Sequence, residues 1–258
     1  MLALNFRILG EPHPDLPPIL VIHGLFGSLE NLAGVARPLA ESRNVYSIDL
    51  PNHSRSPHTE TTSLVQMAEE VLAWMDSQGL AKIDLVGHSL GGKVAMEIAL
   101  QHPERVNRLV VMDIAPVKYP PHHNQVFAGL QSLDTQSLSS RSAADAHMLQ
   151  YVPELAVRSF LLKNLIKSGD GFAWRFNLPV VARDYPELIA GNSAGVFEGP
   201  VMFLKGGDSD YITEVHREPI LTRFPNASVK VVEKTGHWLH ADKPVVVAKL
   251  IKNFLDKE

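Results

Sequence analysis

The chain contains no cysteine, so disulfides, thiolate zinc sites and a cysteine nucleophile are excluded from its chemistry. It has no basic excess either, with 24 Lys and Arg against 28 Asp and Glu and a formal net charge of −4. Without a dense basic run or patch, nucleic acid and anionic membrane surfaces are not expected partners. No apolar stretch approaches the about 18 to 20 residues needed to span a bilayer. Residues Met1 to Gly10 carry Asn5 and Arg7 inside their apolar stretch. They read as a strand rather than a signal peptide, and the expected compartment is the cytoplasm.

What is present is an ordinary globular composition, 45% apolar and 20% charged over 258 residues, enough to bury a large core. Short apolar runs recur at Ile19 to Ile22, Val45 to Ile48, Ile83 to Val86, Leu109 to Met112, Val201 to Leu204 and Val229 to Val232. Runs of this length suit strands buried on both faces of a parallel sheet. Helical patterns lie between them. Leu64, Met67, Ala68, Val71, Leu72 and Met75 share one helix face, and Gly79 follows as a stop signal. This rhythm predicts an α/β fold with a doubly wound, mostly parallel sheet.

The rhythm breaks at residues 116–199. That stretch opens with Pro116, Pro120, Pro121, His122 and His123, carries helical patterns such as Met148 to Ile166, and shows no buried strand before Val201. Long insertions between strands often serve as lids. The expected organisation is a core of residues 1–115 and 200–258 with a helical cap at 116–199; the alternative is a helical subdomain that only extends the core.

The main chemical signal is Gly87-His88-Ser89-Leu90-Gly91, set between the strand run ending at Val86 and a helical pattern from Leu90 to Gln101. A sharp strand-to-helix turn lifts the Ser89 Oγ above the sheet and requires small residues on either side. His23-Gly24-Leu25-Phe26-Gly27 follows the run Ile19 to Ile22. In such a sheet an amide of this loop joins the amide after the nucleophile in an oxyanion hole. The backbone N–H groups of Leu25 and Leu90 are therefore the expected donors, and one such donor is worth a factor of ~10² to 10³ in rate.

Gly236-His237-Trp238 follows the last strand run and precedes a helix expected from about Pro244. The chain order serine, acid, histidine makes His237 the expected general base. His240 competes with it, but the backbone freedom of Gly236 favours its neighbour. Two aspartates compete for the acid. Asp113 ends the run Leu109 to Met112, whereas Asp210 lies in Gly207-Asp208-Ser209-Asp210 after Val201 to Leu204. Both would emerge at the carboxyl edge of the sheet, and sequence position does not separate them; Asp208 reads as a turn residue. His122-His123 and His237-x-x-His240 lack the carboxylate of a zinc-binding H-E-x-x-H pattern. No metal and no cofactor is expected.

Along nearly its whole length the chain resembles the α/β-hydrolase superfamily, and within it the YbfF-type esterases. The closer features are His23-Gly24-Leu25-Phe26-Gly27-Ser28, Asn52-His53 with Ser56, Gly87-His88-Ser89-Leu90-Gly91-Gly92-Lys93, Val111-Met112-Asp113-Ile114-Ala115-Pro116, Trp174-Arg175-Phe176-Asn177-Leu178-Pro179 and Gly236-His237-Trp238. The resemblance implies a small serine esterase with a helical cap, no cofactor, and its acid at Asp113. One departure from the wider superfamily is Asp49-Leu50-Pro51-Asn52-His53-Ser54, where glycine is commoner at the positions of Asn52 and Ser54. Asn tolerates a left-handed turn, so the loop is expected to keep its shape.

The expected reaction is transfer of an acyl group from a carboxylic ester or thioester, acyl-CoA included, to Ser89 and then to water. Haloperoxidase and carbon–carbon bond hydrolysis are other cofactor-free reactions of the fold. A small-ligand receptor with little turnover is the competing class, and a strained nucleophile turn argues against it. Leu161, Leu162, Leu165, Phe172, Trp174 and Phe176 are candidates for an acyl pocket, although the same spacing serves plain core packing. Lys163, Lys167 and Arg175 would suit an anionic substrate or simply a solvated surface.

Overall fold

A computed structural model describes residues 2 to 257. In chain order its strands are β1 (Phe6–Leu9), β2 (Ile19–Ile22), β3 (Val45–Ile48), β4 (Ile83–His88), β5 (Val106–Met112), β6 (Leu165–Ser168), β7 (Gly171–Trp174), β8 (Val201–Gly206) and β9 (Ala227–Val232). Seven of them form one sheet in the order β1-β3-β2-β4-β5-β8-β9, while β6 and β7 form a separate antiparallel hairpin. Only β1 runs antiparallel to its neighbour in the large sheet. The helices are α1 (Ala33–Leu39), α2 (Leu64–Ser77), α3 (Leu90–Gln101), α4 (Asn124–Ser132), α5 (Arg141–Met148), α6 (Leu155–Leu162), α7 (Leu178–Arg183), α8 (Tyr185–Leu188), α9 (Arg217–Arg223), α10 (Leu239–Asp242) and α11 (Pro244–Leu255).

The apolar runs become strands because alternate side chains enter two different cores. Leu20, Ile22, Leu85, Leu109, Val111 and Phe203 pack with α2 and α3 on one face. Ile19, Val21, Val86, Val110, Met112 and Met202 pack with α1 and α11 on the other. The expected α/β class, with a doubly wound and mostly parallel sheet, is the fold observed. Ser63 caps α2 by accepting the Gln66 N–H, and the helix gives way to Gly79 at φ +69. None of the described helices is long and apolar enough to cross a membrane.

Two expectations need correction. The run Val229 to Val232 is not buried on both faces: β9 is an edge strand, with Val229 and Val231 about half exposed at 49% and 48%. An apolar run does not distinguish a central strand from an edge strand, because only neighbours in the sheet decide that. Nor is Met148 to Ile166 one helical stretch. Helix α5 ends at Met148, Pro153 intervenes before α6, and Leu165 already belongs to β6. The hairpin β6–β7 turns through Gly169 at φ +58, a position that a β-carbon would strain.

The segment between β5 and β8, with α4 to α8 and the hairpin, is tied to the sheet's loops by polar contacts. Asn177 donates from its backbone N–H to Asn52 O (2.9 Å), and from Nδ2 to Asn52 Oδ1 (2.9 Å) and Thr59 O (3.1 Å). Asp184 accepts the Thr62 N–H at 2.9 Å. Lys93 Nζ, buried on α3, donates to Val117 O (2.8 Å) and Ala190 O (2.6 Å), near where the segment leaves and returns. Asn52 (φ 64) and Ser54 (φ 50) both take the left-handed conformation where glycine is commoner.

Candidate active site

The order of the sheet creates the crevice. The chain passes from β2 outward to β3, then returns across β2 to β4, so the loops after β2 and β4 diverge at the carboxyl edge, where open α/β sheets bind ligands. Ser89 sits on the β4–α3 turn at φ 52 and ψ −117, a strained conformation for a residue with a β-carbon. Both flanking glycines are sterically required. A β-carbon on Gly87 would lie 2.3 Å from Gly91 O, and one on Gly91 would lie 2.3 Å from Ile22 O.

Ser89, His237 and Asp113 form one hydrogen-bonded line. Ser89 Oγ lies 2.9 Å from His237 Nε2, and His237 Nδ1 lies 2.8 Å from Asp113 Oδ2. The partners define the tautomer: Nδ1–H donates to the carboxylate and Nε2 accepts from the hydroxyl. Asp113 is fully buried. Its Oδ1 accepts the Gly206 N–H at 2.9 Å, and its Oδ2 also accepts the Ser209 hydroxyl. The ring of Tyr211 stacks on the His237 imidazole, with centroids 3.9 Å apart and planes at 21°. Asp210 and Asp208 point into solvent. The structure therefore brings Asp113 to His237, and neither of the other aspartates.

The loop carrying His237 is held differently from the sequence expectation. Gly236 does not take a positive φ, and a β-carbon there would meet open space, so backbone freedom at Gly236 is not what projects His237. His88 does that instead, donating Nε2–H to His237 O at 2.9 Å. His240 packs edge-on against His88, with centroids 4.3 Å apart, and it is His237, not His240, that hydrogen-bonds Ser89. Burial, helped by the neighbouring His240 and His237, holds the His88 pKa well below its ordinary value. Burial and then His237 push His240 down to about 4. Both are therefore neutral near pH 7.

Leu90 opens α3, so its N–H is one of the four helical donors without an intrahelical partner. Leu25 occupies the second position of a turn closed by Gly27 N–H to Gly24 O at 2.9 Å, which leaves the Leu25 N–H outside that bond. Both residues line one cavity with Ser89 and His237. His23 keeps this loop in place, donating from Nδ1 to Gly24 O (2.8 Å) and accepting the Leu50 N–H at Nε2 (3.0 Å). Burial lowers its pKa, consistent with a neutral, structural imidazole.

The cavity has a volume of about 350 Å³. The inserted segment contributes about half of its apolar wall, through Val126, Val157, Phe160, Leu161, Leu188 and Ile189. Of the six pocket candidates from sequence, Leu161 alone is among its described lining residues; Leu162, Leu165 and Phe172 pack in the core, and Trp174 and Phe176, packed with that core, line a separate groove. Helical spacing identifies a buried face but not which buried residues border a void. Lys163 and Lys167 are exposed, and neither they nor Arg175 border the cavity. Among the described residues no three His, Asp or Glu side chains converge as a metal site requires.

A family model described as "alpha/beta hydrolase fold" matches residues 17–244. The chain is 37% identical to Esterase YbfF of Escherichia coli over 240 residues, covering 93% of each protein. It is 35% identical over 263 residues to the sn-1-specific diacylglycerol lipase ABHD11 of Mus musculus, covering 98% of this chain and 85% of that protein. Among solved structures, one titled "Marine microorganism esterase" superposes with a TM-score of 0.94 at 35% identity, covering 98% of this chain and all of that one.

Proposed function

The chain belongs to the α/β-hydrolase family, and from that membership we propose that it hydrolyses carboxylic esters through an acyl-enzyme on Ser89. The observation that carries this reading is the unbroken line Asp113–His237–Ser89 opening into an apolar cavity. His237 Nε2 takes the Ser89 proton as Oγ attacks the acyl carbon. The Leu25 and Leu90 amides receive the charge that develops on the carbonyl oxygen. His237 then protonates the leaving alcohol and activates the water that releases the acid. Asp113 orients the imidazole and stabilises its cationic form.

The inserted segment acts as the cap of the site, since it supplies about half of the apolar wall. A wall of this kind suits an apolar acyl group, in keeping with relatives named as an esterase and a diacylglycerol lipase. An acyl thioester presents the same carbonyl to the same groups. Matched p-nitrophenyl ester and acyl-CoA series rank the two leaving groups.

Ser89→Ala tests the reading. The variant is expected to fold, to resist labelling by a fluorophosphonate, and to lose on the order of 10⁶ in kcat, as removal of a triad nucleophile does. Substantial ester turnover by folded Ser89→Ala protein would overturn the mechanism.

A further inference from the structure

Phe26 is the third residue of the turn Gly24–Gly27 and stands at φ 58. A turn with a left-handed third residue ordinarily has glycine or asparagine there, and a bulky side chain in that region persists only where its surroundings hold it. Two sets of contacts hold Phe26, and both come from the inserted segment. Asn164, in the link between α6 and β6, donates Nδ2–H to Phe26 O at 2.7 Å. The Phe26 ring packs edge-on against Phe127, Phe176 and His123, at centroid distances of 5.3, 5.4 and 6.1 Å.

The bond from Asn164 falls on a particular peptide. Phe26 C=O and Gly27 N–H belong to the same plane; the N–H closes the turn onto Gly24 O, and the C=O takes the Asn164 amide. The plane is thus fixed at both ends. Asn164 is itself fixed: it is 6% exposed, its backbone N–H bonds to Leu161 O at 3.1 Å, and its O accepts the Arg175 N–H at 2.8 Å. Its side chain has one further, longer bond, to Leu161 O at 3.3 Å.

We propose that Asn164 is a positioning residue for the oxyanion hole, locking the Phe26–Gly27 peptide and so the turn that presents the Leu25 N–H. This rests on the reading of Ser89 as nucleophile and the Leu25 amide as oxyanion donor. Without the Asn164 bond, Phe26 O becomes a buried acceptor with no partner. Relaxation of Phe26 to negative φ then turns the Leu25–Phe26 peptide and shifts the donor beside it. The cap therefore does more than wall the acyl pocket: its docking completes the site that stabilises the transition state.

The experiment compares Asn164→Ala with the milder Asn164→Ser, which keeps a short hydroxyl donor. For each, kcat and KM on a short p-nitrophenyl ester, the rate of fluorophosphonate labelling at Ser89 and the thermal midpoint are measured. Asn164→Ala is expected to lower kcat by about 10- to 100-fold, as sub-ångström to ångström misplacement of a reacting-centre group does, with KM within about twofold. Labelling should slow in parallel, because phosphonylation uses the same donors, and Asn164→Ser should fall between Ala and the parent. Variants that melt earlier yet keep the parental kcat and labelling rate would overturn the inference by reducing Asn164 to a structural contact. So would a change confined to KM. If Ser89→Ala is inactive in either case, the proposed function stands independently; an active Ser89→Ala would remove both.

Discussion

The loops that leave β5 and β8 lie side by side at the carboxyl edge of the sheet, each with an aspartate just past its strand, and they use it in opposite ways. Asp113 takes φ 53, keeps its N–H on Leu204 O at 2.8 Å and turns its carboxylate inward. There it accepts from Gly206 N–H, Ser209 Oγ–H and His237 Nδ1–H. A buried carboxylate needs such compensation for lost water. In the β8 loop, Lys205 Nζ gathers the carbonyls of Gly206 and Ser209 at 2.8 and 3.0 Å. That fold of the chain leaves Ser209 inside and Asp210 in solvent. The β8 loop thus contributes donors to the carboxylate of its neighbour. Location at the sheet edge makes both residues eligible, and local backbone conformation chooses between them.

The sharpest test of that difference is Asp113→Asn. The amide keeps the shape but stops acting as a pure acceptor, so the neighbouring His237 is held in the wrong tautomer, at a cost of ~10⁴ in kcat for a triad acid. Steady-state kinetics on a short ester read this directly. Near-parental turnover by folded Asp113→Asn protein would remove Asp113 from the proposed triad.

How much of this was legible in the sequence follows from the range of the interactions. The Ser89 turn is largely a local device, since a β-carbon on Gly87 would run into Gly91 only four positions on, so five letters and their flanking strand and helix suffice to find it. The strands were legible as apolar runs, except that nothing local marks β9 as an edge. The acid was not separable by spacing, and only the resemblance to YbfF-type esterases pointed to Asp113. Ser209, Tyr211 and His88 gave no signal because their partners are far along the chain. Asn164 reaches Phe26 across 138 positions, and no pattern in either segment announces the other. The two stretches singled out by resemblance, around Asn52 and Asn177, are explained by their mutual hydrogen bonds.

A third loop widens the comparison, because the turn carrying His237 is held by a neutral histidine where Asp113 is held by donors. Burial first, then nearby histidines, lowers His88 well below its ordinary value, His53 to about 3 and, chiefly through burial and then His237, His240 to about 4. In the unfolded chain each would take a proton near pH 6.5, while the folded protein resists protonation. Stability is therefore complete above about pH 6.5 and lost as pH falls from there toward 4. Each such histidine contributes a slope of up to about 1.4 kcal/mol per pH unit. Thermal melts from pH 8 to pH 4.5 should show a flat midpoint followed by a steep decline. His240→Phe should shallow that decline, and a midpoint that rises on acidification would contradict the neutral assignment.

The smallest expected effect belongs to Asp210→Asn, and its smallness is what makes it informative. Asp210 is exposed and takes part in no ion pair among the described residues, so its removal leaves no buried partner unsatisfied. Its neighbours do touch the proposed triad: Ser209 donates to Asp113, and Tyr211 stacks on His237. An exposed Asp-to-Asn change preserves the backbone that places both. What remains is a change of one unit of solvated charge, screened over roughly 8 to 10 Å at ordinary salt. Surface substitutions of this kind stay within about 0.5 kcal/mol, so kcat should remain within about twofold of the parent and the thermal midpoint nearly unchanged. A loss as large as that of Asp113→Asn would mean that the β8 loop turns Asp210 inward during catalysis, and the contrast between the two loops would then describe the resting protein alone.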